Sequence, residues 1–109
     1  MAYNQTLAAR IRALMQKTSA FTEREMFGGI GFMLHGNMAC GVIGDDLILR
    51  TGPDAYEAIL ARPQTKPFAL TGRSMRGWVM VHLSEDDTET ALEEWVEMGV
   101  DFVNTLPAK

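Results

Sequence analysis

Leu7, Ile11, Leu14 and Met15 recur at i, i+4, i+7 and i+8 across the segment from about Asn4 to Lys17. That spacing puts them on one face of an amphipathic helix. Lys17 near its end suits the negative pole of the helix dipole, and Thr18-Ser19 begin the exit. The period then changes. Ile30, Phe32 and Leu34 alternate with Gly31, Met33 and His35; Gly36-Asn37 intervene, and a second run extends from Met38 to Ile43, which predicts a hairpin. Gly44-Asp45 makes another tight turn into Leu47 to Arg50. Three strands in meander order follow, and loops this short require antiparallel pairing.

Thr51-Gly52-Pro53-Asp54 switches the period back. A capping residue, a proline at the first helical position and an acid beside the positive pole predict a helix start. Tyr56, Ile59 and Leu60 form its apolar side, and Pro63 limits it to roughly two turns. Pro67 to Leu70 and Gly77 to Leu83 are two further strands, joined by a Thr71-Gly72-Arg73-Ser74 turn; Trp78, Val79, Met80 and Val81 are strand formers. Ser84 with Asp87 reads as a capping box opening a last helix, on which Leu92, Trp95, Val96, Phe102, Val103 and Leu106 recur every three or four residues. Gly99 falls on the same stripe. It costs about 1 kcal/mol of helix propensity relative to Ala, and its missing side chain would let the helix approach the sheet closely. The order is α-β-β-β-α-β-β-α, a two-layer α+β domain over residues 1–109 with the helices on one face of an antiparallel sheet.

Composition narrows the class. A chain of 109 residues, 47% hydrophobic and 22% charged, suits one soluble domain. Its apolar stretches fall far short of the ~20 residues that span a bilayer. The N-terminus lacks the basic start and apolar block of a secretion signal, so a cytoplasmic location without membrane attachment is expected. A single cysteine, Cys40, cannot form an intramolecular disulfide, and with two histidines no zinc framework is expected. Neither a metal nor a cofactor is expected. The net charge of −4 hides an asymmetry: residues 1–84 carry nine Lys/Arg against six Asp/Glu, whereas 85–109 carry one against eight. The C-terminal segment is an acidic face, and a pI near 5 argues against direct nucleic-acid binding.

Two motifs remain, Arg24-Glu25-Met26-Phe27-Gly28-Gly29-Ile30-Gly31-Phe32 and Gly72-Arg73-Ser74-Met75-Arg76-Gly77-Trp78-Val79. Together with Gly36 and Met38 of the hairpin, Asp45-Asp46-Leu47 to Arg50, and the end Leu106-Pro107-Ala108-Lys109, they resemble the TfoX N-terminal domain family. The resemblance covers nearly the whole chain in the right order. It implies a fold of one helix, three strands, a helix, two strands and a helix, and a regulatory role of the kind associated with competence. It leaves Met26, Phe27, Gly28, Gly29, Gly36, Met75, Gly77 and Trp78 as family-motif positions of structural character.

Each candidate for chemistry has a plainer reading beside it. Gly28-Gly29-Ile30-Gly31 matches neither phosphate-binding glycine pattern and leads into a strand, so a backbone bend is expected. Cys40 would need a base such as His35 or His82 to act as a nucleophile, but it lies in an apolar strand, where cysteine behaves as a small buried hydrophobe. His35 sits beside the hairpin turn, and His82 alternates with Trp78 and Met80 as a satisfied structural histidine. Asp45-Asp46 lack the spaced oxygens of a cation loop, and Glu93, Glu94 and Glu97 describe an acidic outer surface. Arg50, Arg73 and Arg76 are the binding candidates, placed to converge on an anion or an acidic partner. Met26, Met33, Met38, Met75 and Met80 gather around the sheet, as core filler or as an adaptable binding surface.

The expectation is a non-catalytic interaction or regulatory module acting through contacts with a protein partner, linked to transcription. A homodimer through edge strands or opposed charged faces is one version. The alternative is a small-molecule or anion-binding protein, or a weak enzyme, using Arg50, Arg73, Arg76 and Cys40.

Overall fold

The computed structural model describes residues 3–17, 21–26, 28–70, 73–83 and 89–107. The chain runs α1 (Gln5–Met15), β1 (Thr22–Met26), β2 (Gly29–Leu34), β3 (Asn37–Ile43), β4 (Asp46–Arg50), α2 (Tyr56–Leu60), β5 (Thr65–Leu70), β6 (Arg73–His82) and α3 (Glu89–Val103). All six strands form one antiparallel sheet in the order β1-β2-β3-β4-β6-β5. The α+β class and the expected succession of elements hold, with one strand added.

The added strand is β1. Its sequence, Thr-Glu-Arg-Glu-Met, shows no apolar alternation, because an edge strand packs on one side only and Thr22 to Glu25 are all exposed. Its register on β2 supplies what the sequence pattern lacks, pairing Glu23 with Phe32 and Arg24 with Gly31. Gly28 turns the chain between the two strands at φ 77°, a left-handed conformation that side chains disfavour. This is the expected bend; Phe27 lies outside the described residues, as does the side chain of Met26.

Several boundaries also move. The first hairpin turns on His35 and Gly36, at φ 52° and 84°, so Asn37 opens β3 instead of sitting in the turn. Both values being positive matches the twist-compatible two-residue hairpin turn. Helix α2 starts at Tyr56, after a turn through Pro53 and Asp54, and Ala55 makes no side-chain cap. Thr51 is not the cap either, since its hydroxyl donates to the carbonyl oxygen of Gly52 at 2.8 Å. Strand β6 begins at Arg73, so the turn before it is shorter than expected. Residues 84–88, where the capping box was expected, lie outside the described residues.

The helices share one side. Leu7, Ile11 and Met15 of α1, Tyr56 and Ile59 of α2, and Leu92, Trp95, Val96, Val100 and Val103 of α3 pack on Ile30, Phe32, Leu34, Cys40, Val42, Leu47, Leu49, Val79 and Val81 of the sheet. Asn4 caps α1, its side-chain oxygen accepting from the Leu7 amide at 3.0 Å. Gly99 sits where α3 crosses β3. A Cβ there would overlap the carbonyl oxygen of Ala39 and come within 3.1 Å of Leu49 Cδ1, so the expected close approach is what the glycine permits. Glu94, Glu97 and Asp101 point away from this core into solvent.

Candidate functional site

Strand residues alternate between two faces, so every side chain committed to the helices leaves its neighbours on the opposite side. Among the described residues those neighbours form a second apolar cluster with no helical member. Met38, Ile48 and Phe68 are its buried centre, and Met33, Ile43, Met75, Trp78 and Met80 are its half-exposed surround. Phe68 and Trp78 lie with ring centroids 6.5 Å apart, tilted at 49°.

The register draws one row across this face. Arg24 is opposite Gly31, Gly31 opposite Gly41, Gly41 opposite Ile48, Ile48 opposite Met80, and Met80 opposite Lys66. Five inter-strand steps of about 4.8 Å make the row about 24 Å long. Both ends are cationic and exposed, and the middle is apolar. The two central glycines offer no side chain, and Met38 fills part of that space, its methyl 2.8 Å from where a Cβ on Gly41 would be. A flexible thioether over a glycine floor is a surface able to repack around a visitor.

Along β4 the same face carries Asp46, Ile48 and Arg50 in alternate positions. At one end Asp46 Oδ1 accepts from His82 Nδ1 at 2.9 Å, and the same carboxylate lies 3.6 Å from Lys66 Nζ. This ties β4, β6 and β5 together. His82 is exposed on the face it shares with Met80, and Asp46 is its partner.

At the other end Arg50 lies between two rings, its guanidinium carbon 5.1 Å from the centroid of Trp78 and 5.5 Å from that of Phe102. Cation–π attraction holds it there. Gly52, at φ 80°, allows this arrangement, because a Cβ at that position would overlap the Phe102 ring. Burial pulls the Arg50 pKa below its ordinary value. Among the described residues Arg50 has no carboxylate partner.

Arg50 and Arg76 do not share partners. Arg76 reaches Glu57 at 3.5 Å and lies 5.8 Å from the Tyr56 ring centroid, on the α2 side. Arg73 is opposite Leu70 in the β5–β6 hairpin, five residues along β6 from the Trp78 that faces Arg50; its side chain is outside the described residues. Phe102 and Asp46 join Arg50 and His82 in ways no sequence spacing announced. The alternation Trp78, Met80, His82 in β6 and Asp46, Ile48, Arg50 in β4 was the available signal.

Cys40 lies in the helix-side core, with no exposure, and burial pushes its thiol up to about 12. A thiol held neutral at physiological pH is a poor nucleophile. Among the family-motif residues, Gly77 adopts φ 94°, and its carbonyl oxygen accepts from the amides of Thr51 at 2.7 Å and Gly52 at 3.2 Å. That position fastens the loop carrying Gly52, and with it the Phe102 side of the Arg50 sandwich.

Among the described residues there is no group of three or more His, Cys, Asp or Glu side chains placed to hold a metal, and no helix is long and apolar enough to cross a membrane. A family model described as the TfoX N-terminal domain matches residues 13–103. No curated protein and no solved structure gives a significant match.

Proposed function

The chain belongs to the TfoX N-terminal domain family, and from that membership we propose that it is a regulatory module of the competence type that works without catalysis, by binding another protein on the helix-free face of its sheet. The observation that carries this reading is the second apolar cluster. Domains bury the apolar side of a sheet against another layer, and here Met33, Ile43, Met75, Trp78 and Met80 remain only half covered. Contiguous apolar surface with a polar rim marks interaction sites on soluble proteins.

Self-association is the weaker version. The edge strands are blunted: β1 exposes Glu23, Arg24 and Glu25, and β5 carries Pro67 beside a register shift. Stacking two copies face to face would bring cationic rims together, since among the described residues the helix-free face carries Arg24, Arg50 and Lys66 against Asp46.

The test is complementation in the native host. A strain lacking this gene is profiled for transcripts, then supplied with the wild-type chain, with Met33→Glu/Met80→Glu, or with Glu94→Gln on the acidic helix. Wild type and E94Q should restore the transcript pattern, and the double variant should not, while both variants accumulate as folded protein. Full restoration by the double variant would remove the face from the function.

A further inference from the structure

The helix-free face has a charge character of its own. Among the described residues it carries Arg24, Arg50 and Lys66 against the carboxylate of Asp46, whereas Glu93, Glu94, Glu97 and Asp101 are carried by α3 on the other side of the sheet. The chain as a whole is acidic at −4, so this is a local reversal of sign. Within it, Lys66 already faces Asp46 at 3.6 Å. Arg50 differs: it is held in place by two rings at the edge of the apolar cluster and, among the described residues, has no carboxylate partner.

We propose that Arg50 reads a carboxylate on an acidic, aliphatic-anchored peptide segment of a partner protein, whose apolar side chains sit on the Met38–Ile48–Met80 strip. This rests on the reading of the helix-free face as the binding surface. The two rings hold the guanidinium in place, and its N–H groups are the donors that an acid would meet. An arginine fork so oriented matches a carboxylate bidentately, at less entropic cost than a free side chain. Lys66 and Arg24, at the two ends of the cross-strand row, would favour further acids at the segment's flanks.

The apolar contribution is aliphatic in character. Methionine and isoleucine dominate the strip, Phe68 is buried, and Trp78 has Arg50 over its ring. A single-stranded nucleic acid would need exposed ring faces on which bases stack. The strip offers thioethers instead, which adapt to Leu, Ile, Met and Phe side chains. The cationic rim also disfavours a second copy of the same face and favours an acidic occupant.

The experiment selects a phage-displayed library of random 15-residue peptides against the full chain, then titrates enriched peptides into protein labelled with 13C at the methionine methyls. Enriched sequences should combine Asp or Glu with aliphatic residues. They should shift the methyls of Met33, Met38, Met75 and Met80 and leave that of Met15, buried on the helix side, unmoved. Arg50→Gln should weaken binding roughly 10- to 100-fold, the range expected for a lost charge-assisted pair. Arg50→Lys should recover it only in part, and Arg62→Gln, over Trp95 on the helix side, should leave it unchanged. Replacing the peptide's carboxylates with amides tests the same contact without altering the protein, and should cost a similar factor.

Peptides that shift the face methyls but carry no acidic excess, or bind as well after amidation, would overturn the carboxylate assignment and leave the face as the docking site. Peptides that bind without moving those methyls would overturn both. Failure to enrich any peptide, or methyl shifts produced instead by poly-uridine RNA or by phosphatidylglycerol vesicles, would also overturn the proposal.

Discussion

Gly99→Ala is the sharpest probe of how α3 meets the sheet, because two effects of opposite sign compete there. Alanine in a helix interior is favoured over glycine by about 1 kcal/mol. Against this, the new methyl would overlap the Ala39 carbonyl oxygen, and it would lie 3.2 Å from the Ala39 carbonyl carbon and 3.1 Å from Leu49 Cδ1. Carbon pairs are comfortable at about 3.5–4.0 Å, so α3 must retreat by about half an ångström or more. The obstruction is backbone of a paired strand, which cannot rotate aside as a side chain would. A gap of that size forfeits a quarter to a half of each affected dispersion contact, and Leu92, Trp95, Val96, Val100 and Val103 all face the same core. Overpacking of this kind costs about 1–3 kcal/mol. The rigid obstacle favours the upper part of that range, leaving a net loss of about 1–2 kcal/mol after the propensity gain. Urea unfolding should show a lower midpoint with unchanged slope, and the melting temperature should fall by about 5–10 °C. Ala9→Gly, at an exposed position of α1, calibrates the propensity term in the same chain. A G99A protein as stable as wild type, or more so, would refute the close-approach argument.

Other expectations follow from single contacts. The thiol of Cys40 should resist a disulfide reagent such as dithionitrobenzoate in the native protein and react at once in urea. Its pKa is raised from 9.0 to about 12 on folding, so the folded state holds the proton longer, and stability should fall as pH rises through that interval; Cys40→Ala should flatten the fall in melting temperature measured across it. Arg12 donates to Glu23 through Nε at 2.7 Å and Nη2 at 2.6 Å, joining α1 to β1 and holding the Glu23 carboxyl below its usual range. That contribution is present above the unfolded carboxyl pKa and lost as pH falls through the lower folded value. Glu23→Gln should cost at most about 1 kcal/mol at neutral pH, given its exposure, and should lessen the decline in melting temperature on acidification; an unchanged acid limb would count against the pair. Gly77→Ala should cost about 1–2 kcal/mol for a left-handed residue, and near-ultraviolet circular dichroism should report a disturbed Trp78.

The helical stripes of α1 and α3 were legible because each buries one face against one layer, so the period in sequence is the period of burial. The strands obey a different logic. In β3, the run from Met38 to Ile43 is apolar on both sides because Ala39, Cys40 and Val42 meet the helix layer while Met38 and Ile43 belong to the cluster on the opposite face. In β1 the pattern vanishes because Thr22 to Glu25 are exposed, with Glu23 paired to Arg12 of α1. Sequence order gives the β5–β6 hairpin, yet nothing local says that β6 and not β5 lies beside β4. That choice aligns Ile48 with Met80 and Arg50 with Trp78. The candidate site is therefore a product of sheet order. A count of methionines cannot separate Met15, enclosed by the helix layer, from Met33, Met38, Met75 and Met80, which the register delivers to the uncovered face. The same register puts Arg50 beside that face with two rings and, among the described residues, no acid. Arginines that looked equivalent in the sequence thus resolve into one pre-positioned cation, Arg50, at the edge of an apolar strip and one, Arg76, on the α2 side, and it is this inequality that a binding experiment on R50Q and R76Q variants would read directly.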